Sequence, residues 1–527
     1  MRPRTIPAAV GAAVTLVAAL AAPAAVTMPA ALAAPAAVTM PAAVTIPAAV
    51  TTPAAVTTSA AAGTRAQAPG PHLSLIAVQR TVTIAESGHQ PVLVDPDIWV
   101  ASNGSAFRLN VRRASYTRPV TVTQIISTPR GTVRRALPGS VLDGWNGLGG
   151  FIQFTLSDAH GKVIDSQPVT FCPGDPNAER ATPASAATDP YPQQCGAYDP
   201  FPLGQIWGLP KGWAVDPFGS VNGAPGQVTG LLAAGKYRAT MSIAPQYRRL
   251  FGVGAGVATV SVKINVVNAK NCPPPGCGTS NPSGAAFAPP PSVRTVAHPP
   301  QGALPQLTAL PSWGISTSSR SGHDLLTFGA TVWVGGNAPL DVEGFHVAGS
   351  SLMAAYQYFW RDGKVIGRAP VGTMGYDSQP GHHHWHFEQF AQYRLLTANH
   401  RLAVRSEKAG FCLAPTDPVD LLLPHATWQP AHTGLAGQCG RPDALWVQEY
   451  LPVGWGDTYD QTKAGQAFDI TSLPDGVYYI EIIANPRGVL HELSTAGNVS
   501  LRKVILGGRK DHRTVRVPAW NGIDLEG

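Results

Sequence analysis

The sequence predicts a mainly β protein: two β-sandwich-like domains joined by a Pro/Gly-rich linker and preceded by a disordered N-terminal segment. In several short stretches apolar and polar residues alternate, and a period of two is typical of strands with one buried face. The chain contains 55 glycines and 50 prolines among 527 residues, and these interrupt the alternating stretches as turns do in a sandwich. A chain of this length can bury more than one core, so two domains are expected.

The N-terminal residues predict export. Arg2 and Arg4 precede an apolar run that extends to Ala22, which is typical of a signal peptide over residues 1–22. Beyond this run we find no proline-free apolar stretch of about 20 residues, so no stable membrane span is expected. The predicted localisation is therefore secreted and extracellular.

Residues 23–71 predict a low-complexity spacer of proline, alanine, valine and threonine. The pentapeptide Pro-Ala-Ala-Val-Thr recurs and begins at Pro23, Pro35, Pro41, Pro47 and Pro53. Regular prolines exclude a helix and cannot occupy a central strand, and no large side chains are present to build a core. We expect this segment to be flexible and disordered.

The N-terminal β domain is predicted over residues 72–267. Valine and isoleucine alternate with polar residues over 257–267, and a similar alternation occurs over 237–243. Further strands are expected at 91–94, 107–111, 120–126 and 151–156. No catalytic constellation is found in this domain, so its role is unknown and a structural or surface-binding module is the default interpretation.

Two further segments complete the predicted organisation. A linker is expected over residues 268–303, where runs of proline allow no regular core element. A second β-rich domain follows over 304–508, and a tail over 509–527. Strands of the second domain are expected at 325–334, 353–360 and 477–483, the last after the turn signal Pro474-Asp475-Gly476.

Six cysteines fall into three close pairs. In an exported protein an even set of cysteines predicts disulfides, although connectivity does not follow from sequence alone. Sequential pairing keeps each loop within one segment, and it gives Cys172 with Cys195, Cys272 with Cys277, and Cys412 with Cys439.

The formal net charge is +7, and part of it is concentrated in arginines between residues 108 and 135. A nucleic-acid-binding protein needs a basic patch together with a binding motif. We find no zinc-finger spacing, no RRM-like aromatic motif and no basic helix, so no nucleic-acid partner is expected. The arginines are interpreted as a solvated basic face, with contact to an anionic cell-wall polymer as the alternative.

The segment from Gly381 to Phe390 contains a histidine cluster. On an extended strand residues i, i+2 and i+4 point to one side, so His382, His384 and His386 converge and His383 points away. Three imidazoles on one face are costly to bury without a shared partner, and a metal ion provides one. Imidazole ligation suits copper, zinc, iron or nickel, so the residues predict a metal site without selecting the metal.

Four further motifs follow the cluster in a definite order. They are Glu407-Lys408-Ala-Gly-Phe-Cys-Leu413, Gly454-Trp-Gly-Asp-Thr-Tyr459, Phe468-Asp-Ile-Thr471 and Ala484-Asn-Pro486. Together with the histidines, their order and spacing resemble the catalytic domain of the lysyl oxidase family of copper amine oxidases. The resemblance covers roughly residues 304–508, and the N-terminal half does not resemble the family's animal propeptides.

The resemblance implies a site and an activity. The histidines that match the family's Cu(II) ligands are His382, His384 and His386. Lys408 and Tyr459 match the lysine and tyrosine that form the lysyl tyrosylquinone cofactor, so they are the expected catalytic and cofactor-binding residues. The implied reaction is the oxidative deamination of a primary amine, either peptidyl lysine or a small amine. Oxygen is the acceptor, and an aldehyde, hydrogen peroxide and ammonia are the products.

The sequence departs from the family at one position of consequence. Gln392 stands where animal members have a histidine proposed as the catalytic base, and an amide cannot act as a base. The base is therefore unassigned, and the candidates are Glu388, His383, His425, His432 and Asp457. Asp457 and Asp469 are expected to be turn or hydrogen-bonding residues rather than catalytic ones.

Two alternative functions remain open from sequence. The first is a non-catalytic metal-binding or structural surface protein, against which the intact Lys408 and Tyr459 argue. The second is a zinc hydrolase, for which only Glu388 provides a carboxylate near the histidines.

Overall fold

The described part of the computed structural model falls within Ala66–Gly527. The described residues are 72–86, 92–182, 185–186, 188–218, 228–230, 232–268, 293–346, 350–377, 384–406, 408, 410–430, 439–440, 444 and 446–523. Several predicted features lie outside these residues: the signal peptide, the spacer, Cys272, Cys277, His382, His383 and His432.

The N-terminal half consists of fifteen named strands. They are β1 (His72–Ala77), β2 (Thr81–Glu86), β3 (Val92–Val94), β4 (Ile98–Asn103), β5 (Phe107–Arg113), β6 (Val120–Thr128), β7 (Gly131–Leu137), β8 (Leu148–Asp158), β9 (Val163–Phe171), β10 (Glu179–Arg180), β11 (Gly204–Leu209), β12 (Trp213–Val215), β13 (Val228–Gly230), β14 (Gly235–Ile243) and β15 (Thr259–Asn268). Short 3₁₀ turns occur at Gly139–Val141 and Ala255–Val257, and one helix, α1, spans Pro245–Phe251.

These strands form four sheets around one core. The sheet orders are β1-β4-β12-β10, β11-β5-β6-β7, β13-β3 and β2-β15-β14-β8-β9. The predicted alternation explains the burial: in β15 the side chains of Val262, Ile264 and Val266 are in the core, and Lys263 between them is exposed. The strands predicted for this half are all present.

Helix α1 closes one end of this core. Pro245 occupies its first turn, where a missing N–H costs nothing, and Gly252 ends it in the left-handed conformation with φ 67°. The helix buries Tyr247 and Phe251, and both rings pack against Phe151.

The C-terminal half consists of sixteen named strands. They are β16 (Pro305–Ala309), β17 (Trp313–Arg320), β18 (His323–Gly336), β19 (Leu340–His346), β20 (Leu352–Arg361), β21 (Lys364–Asp377), β22 (His384–Phe387), β23 (Ala391–Thr397), β24 (Leu402–Arg405), β25 (Asp417–Pro418), β26 (Trp446–Leu451), β27 (Trp455–Tyr459), β28 (Ala467–Asp469), β29 (Gly476–Ala484), β30 (Val499–Arg509) and β31 (His512–Arg516).

Three sheets surround the core of this half. We call the sheet β22-β21-β20-β19-β26 the histidine sheet, because β22 contains the described histidines of the cluster. We call the sheet β16-β18-β27-β25 the tyrosine sheet, because β27 ends at Tyr459; β17 and β28 also pair with β18. The third sheet has the order β24-β23-β29-β30-β31.

One segment of the C-terminal half, Thr416–Leu421, pairs with both halves of the protein. We call it the bridging segment. On one edge Asp417 and Pro418 pair with β27, and Val419 donates its N–H to the Gly454 carbonyl at 2.8 Å. On the other edge the Leu203 N–H donates to the Val419 carbonyl at 2.6 Å.

The residues that bond to this second edge belong to the N-terminal half. The Leu421 N–H donates to the Gly204 carbonyl at 2.7 Å, and Gly204 and Asp420 form a parallel bridge. Because Gly204 begins β11, the sheet of the N-terminal half continues through the bridging segment into the tyrosine sheet.

Parts of the predicted linker and tail also pair with strands. Val296 donates its N–H to the Arg368 carbonyl of β21 at 2.9 Å, and its side chain packs against Leu304, Phe359 and Ala369. The predicted tail contains β31, which pairs with β30. The mainly β prediction is confirmed, and within the part of the chain described here no helix is long and apolar enough to cross a membrane.

Candidate functional site

Strand β22 presents its histidines on one face and aromatic side chains on the other. Trp385 and Phe387 are buried in the core, so the alternation of a strand directs His384 and His386 to the opposite face of the histidine sheet. The predicted alternation of this cluster is thus present for the two histidines that the structure describes.

The two imidazoles lie close together. Their ring centroids are 4.8 Å apart in an edge-on arrangement, and Nδ1 of His386 is 3.5 Å from Oδ2 of Asp377. Asp377 reaches this position because β21 and β22 pair antiparallel with Asp377 opposite His384. A carboxylate beside a histidine fixes the orientation of the ring, as is usual around metal ligands.

There is no spare room beside His386. A side chain added at Gly410 would place its Cβ 2.7 Å from the His386 Cβ. The Gly410 backbone therefore packs closely against His386, and a larger residue at this position would displace one of them.

The donor set fits a metal ion in its chemistry, because imidazole nitrogens are common ligands of zinc and copper, and the two described rings lie with their centroids 4.8 Å apart. Among the described residues, no group of three or more His, Cys, Asp or Glu side chains is arranged to hold a metal. The third predicted ligand, His382, lies outside them.

Lys408 and Tyr459 meet beside β22. The Lys408 Nζ lies 4.1 Å from the centroid of the Tyr459 ring and 5.1 Å from that of Phe411. The Phe411 and Tyr459 rings pack edge to face at 5.4 Å. Phe411 in turn exchanges backbone hydrogen bonds with Phe387, so the Lys408–Tyr459 pair is connected directly to the histidine strand.

The hydroxyl of Tyr459 is held by backbone on both sides. It accepts the Cys412 N–H at 2.9 Å and donates to the Cys412 carbonyl at 3.1 Å. Burial, followed by the nearby Asp457 carboxylate, raises the pKa of this phenol well above its usual value. The ring is therefore fixed in place and protonated in the resting protein.

The amine of Lys408 is shifted toward its neutral form. Burial lowers its pKa to about 8, against the opposing effect of the Asp457 and Asp377 carboxylates. A neutral amine is a nucleophile and an ammonium is not, so this environment suits bond formation at the Lys408 nitrogen.

Two buried carboxylates lie behind the Lys408–Tyr459 pair. Asp457 is on β27, two residues before Tyr459, and Glu449 is on β26, where it accepts the Leu413 N–H at 3.2 Å. Burial raises the pKa of each well above its usual value, and the Lys408 ammonium opposes this shift for Asp457. Asp457 was predicted as a turn or hydrogen-bonding residue; it lies inside β27, so the turn alternative does not apply.

The remaining base candidates are spread apart. The Glu388 side chain is exposed and accepts the Thr373 hydroxyl at 2.8 Å. His425 lines a cavity of about 530 Å³ formed largely by Trp360, Tyr450 and their neighbours. Asp469 holds an exposed turn through Thr471, as predicted. Of the described candidates, only Asp457 interacts electrostatically with Lys408.

Gln392 does not face the pair as a base would. Its Oε1 accepts hydrogen bonds from Arg394 at 3.1 and 2.8 Å. The amide thus orients an arginine on the same strand, β23, in agreement with the prediction that it cannot replace a catalytic histidine.

Two predicted disulfides are present, and one of them borders the site. Cys172 is bonded to Cys195 and Cys412 to Cys439. Next to Cys412, Phe411 pairs with β22 through Phe387, and the Cys439 carbonyl accepts the Trp385 N–H at 2.7 Å. The second disulfide therefore joins the two segments that cover the free edge of the histidine strand.

Comparison with known proteins finds a limited segment of similarity in this region. The sequence-family model described as lysyl oxidase matches residues 357–514. Residues 357–514 are a lysyl oxidase-like segment. A bovine protein named lysyl oxidase homolog 4 (Bos taurus) is 29% identical to the chain over 139 residues, which is 26% of this chain. The match covers 16% of the bovine protein's length.

The lysyl oxidase-like segment contains every residue predicted for the metal and the cofactor. Sequence reasoning missed Asp377, Gly410 and Phe411 as neighbours of these residues. A signal existed for Asp377, because Ser378-Gln-Pro-Gly381 is a turn sequence and implies a hairpin that pairs Asp377 with His384. No local signal marks Gly410 or Phe411, whose contacts depend on a strand that precedes them by more than twenty residues.

Proposed function

We propose that this protein is a secreted copper-dependent amine oxidase that converts primary amines to aldehydes and releases hydrogen peroxide and ammonia. The observation that carries the proposal is the 4.1 Å approach of the Lys408 amine to the Tyr459 ring. The two residues are distant in sequence, and they are the pair that the family uses to build its cofactor. The lysyl oxidase-like segment contains both residues and supports the same proposal.

In this proposal the histidines and the carboxylate beside them hold the metal. His384, His386 and His382 are the ligands, and Asp377 orients His386. Copper and lysyl tyrosylquinone, when present, supply the oxidation by dioxygen and the electron sink for the amine. The chain itself holds the Tyr459 ring through Cys412 and lowers the pKa of the Lys408 amine to about 8, which increases its neutral fraction.

Neighbouring side chains shield the pair from much of the bulk water. Lys408 is buried and Tyr459 is partly buried; Phe411 packs on Tyr459, and the buried Tyr393 packs on Phe411. Asp457 is the candidate base in this proposal, because it is buried and interacts with Lys408, and burial raises the pKa of its carboxyl well above the usual value.

The test measures peroxide release from a primary amine by the exported full chain after reconstitution with copper. We expect activity with copper and none with zinc. The His386→Ala variant should lose at least 100-fold in copper affinity, since replacing even an outer-shell partner costs about 10–100-fold. The His400→Ala variant is the control, because this ring packs on Tyr479 away from the site.

The outcomes separate the alternatives. Copper binding without peroxide from any primary amine would contradict the oxidase and leave a metal-binding structural protein. Hydrolysis of an ester or phosphate that depends on zinc would favour the hydrolase.

A further inference from the structure

We propose that the N-terminal β half is a fixed structural part of the candidate site, and that Asp417 is the positioning residue through which it holds the strand of Tyr459. This half lies outside the lysyl oxidase-like segment, and the comparisons assign it no role. The inference follows from the hydrogen bonds of the bridging segment and holds whether or not the protein oxidises amines.

Backbone hydrogen bonds run from the N-terminal half through the bridging segment to the tyrosine sheet. The bridging segment is bonded on one edge to β27, whose last residue is Tyr459, and on the other edge to β11 and the residue before it. An isolated C-terminal half would expose this second edge as unpaired N–H and C=O groups. The N-terminal half therefore supplies the strand that completes the tyrosine sheet.

The second argument is the position of Asp417. Its carboxylate accepts the Tyr198 N–H of the N-terminal half at 2.5 Å. The Thr458 side chain and the Asp199 N–H lie near the same carboxylate and lower its pKa, and the backbone of Asp417 pairs with Gly456 of β27. The neighbouring Thr416 Oγ1 accepts the Thr458 N–H at 2.8 Å, so Asp417 connects the N-terminal half to the strand that ends at the predicted cofactor tyrosine.

The charges around Asp417 explain why it needs both partners. The side chain is fully buried, and burial raises its pKa to about 6 although the nearby donors of Thr458, Tyr198 and Asp199 oppose this shift. Asp199 is buried nearby and its pKa is raised to about 7, first by burial and then by Asp417. A buried carboxylate is stable only when it is hydrogen-bonded, so losing the Tyr198 and Asp199 donors would displace Asp417 from Thr458.

Aromatic side chains also pack between the N-terminal and C-terminal halves. Trp428 contacts the Arg108 guanidinium, 4.6 Å from the ring centroid, and stacks on the ring of Tyr191 at 6.1 Å. At a second place Trp520 packs edge to face on Tyr116 and Phe201, at 5.0 and 5.2 Å. Contacts at two separate places prevent the halves from rotating about the bridging segment.

The test is amide hydrogen exchange on the full, metal-free chain. The Asp417→Ala variant should exchange at least tenfold faster over residues 455–459, and residues 476–484 of β29 should keep the wild-type rate. The Asp417→Asn variant retains an oxygen acceptor for the Tyr198 N–H, so it should restore most of the protection. The matched control is Asp216→Ala, which removes a buried carboxylate that bonds the Phe218 N–H inside the N-terminal half.

A variant in the N-terminal half, Gly204→Ala, tests the proposal if Asp417→Ala fails to fold. A Cβ at Gly204 would collide with Oδ1 of Asp420, so Gly204→Ala should also raise exchange over residues 455–459. Equal rises over 455–459 and 476–484, or no rise over 455–459 in either variant, would overturn the proposal.

A second readout connects the inference to the proposed function. In copper-loaded protein, the Lys408–Tyr459 cross-linked peptide should fall at least several-fold in Asp417→Ala and stay at the wild-type level in Asp216→Ala. If the wild type itself forms no cross-link, the proposed function fails, and the hydrogen-exchange result still decides the role of the N-terminal half.

Discussion

At the scale of single residues, the main feature is a lysine whose amine is held over a tyrosine ring inside a mostly apolar site. Phe411 packs against both, and the Cys412 backbone fixes the tyrosine hydroxyl. A lysine in such surroundings gives up solvation, which favours its neutral form. Both the position and the protonation state of Lys408 therefore suit attack on an oxidised Tyr459 ring.

The first prediction concerns the titration of Lys408. In a metal-free Tyr459→Phe variant, which cannot cross-link, the Nζ resonance should titrate with a midpoint near pH 8, because burial lowers the pKa to about 8. Below this midpoint the amine is charged and above it neutral. Adding Asp457→Asn should lower the midpoint further, since the Asp457 carboxylate stabilises the ammonium. Nitrogen-15 NMR measures both, and a midpoint near the ordinary lysine value of about 10.4 would contradict the described burial.

The second prediction concerns the space beside His386. Gly410→Ala adds a Cβ that would lie 2.7 Å from the His386 Cβ, so the imidazole or the backbone must move. We expect a loss of about 1–3 kcal/mol in stability and a weaker copper affinity. Gly254→Ala is the control, because no atom lies within 4 Å of its added Cβ. Thermal unfolding and copper titration make the comparison, and identical behaviour of the two variants would be inconsistent with the close approach.

At the scale of elements, the histidine strand is short and lies at the edge of its sheet. Four residues form β22, and β21 is the one named strand that pairs with it. The Cys412–Cys439 disulfide joins the segments that cover its other edge at Phe411 and Cys439. The position of His384 and His386 therefore depends on a cross-link outside the strand itself.

The third prediction compares the two described disulfides. Their loops are similar, with sequence separations of 27 for Cys412–Cys439 and 23 for Cys172–Cys195. Chain entropy assigns each about 3.5 kcal/mol, so replacing either pair by serine should lower stability by a similar amount. Only the Cys412→Ser/Cys439→Ser protein should also lose copper affinity and cross-linking at temperatures where it is folded. Equal copper affinity in both double variants would show that the Cys412–Cys439 disulfide does not support the copper site.

The sequence predicted some elements of the site better than others. Alternation located the strands and the facing of His384 and His386, because strand periodicity is a local property. The apposition of Lys408 and Tyr459 came from the resemblance and not from pattern, since β27 reaches Lys408 only through tertiary packing. The burial of Asp457 within β27 was not predicted, because the surrounding Gly and Thr residues are also typical of a turn.

At the scale of the whole molecule, the two halves share backbone hydrogen bonds and side-chain packing. The predicted boundary at residues 268–303 is a boundary in sequence composition, and sequence carried no sign that the bridging segment pairs with Gly204. Parallel pairing between segments separated by some two hundred residues leaves no local pattern. This is the main part of the architecture that could not be predicted from sequence.

The fourth prediction follows from this shared sheet. A protease site inserted within residues 278–288 allows the chain to be cut between the halves without changing a described residue. After cleavage both fragments should elute together in size-exclusion chromatography, because the bridging segment, Trp428 and Trp520 all contact the N-terminal half. An uncut sample is the control. Separate elution of folded fragments would show that the halves do not depend on each other.

The central claim is that Lys408 and Tyr459 become one covalent cofactor. The most direct measurement is mass spectrometry of the protease-digested full chain after exposure to copper and oxygen, with Lys408→Arg and metal-free protein as controls. The account predicts a single peptide in which Lys408 is joined to the Tyr459 ring, present in the copper-loaded wild type and absent from both controls. Separate, unmodified Lys408 and Tyr459 peptides from the copper-loaded wild type would contradict it.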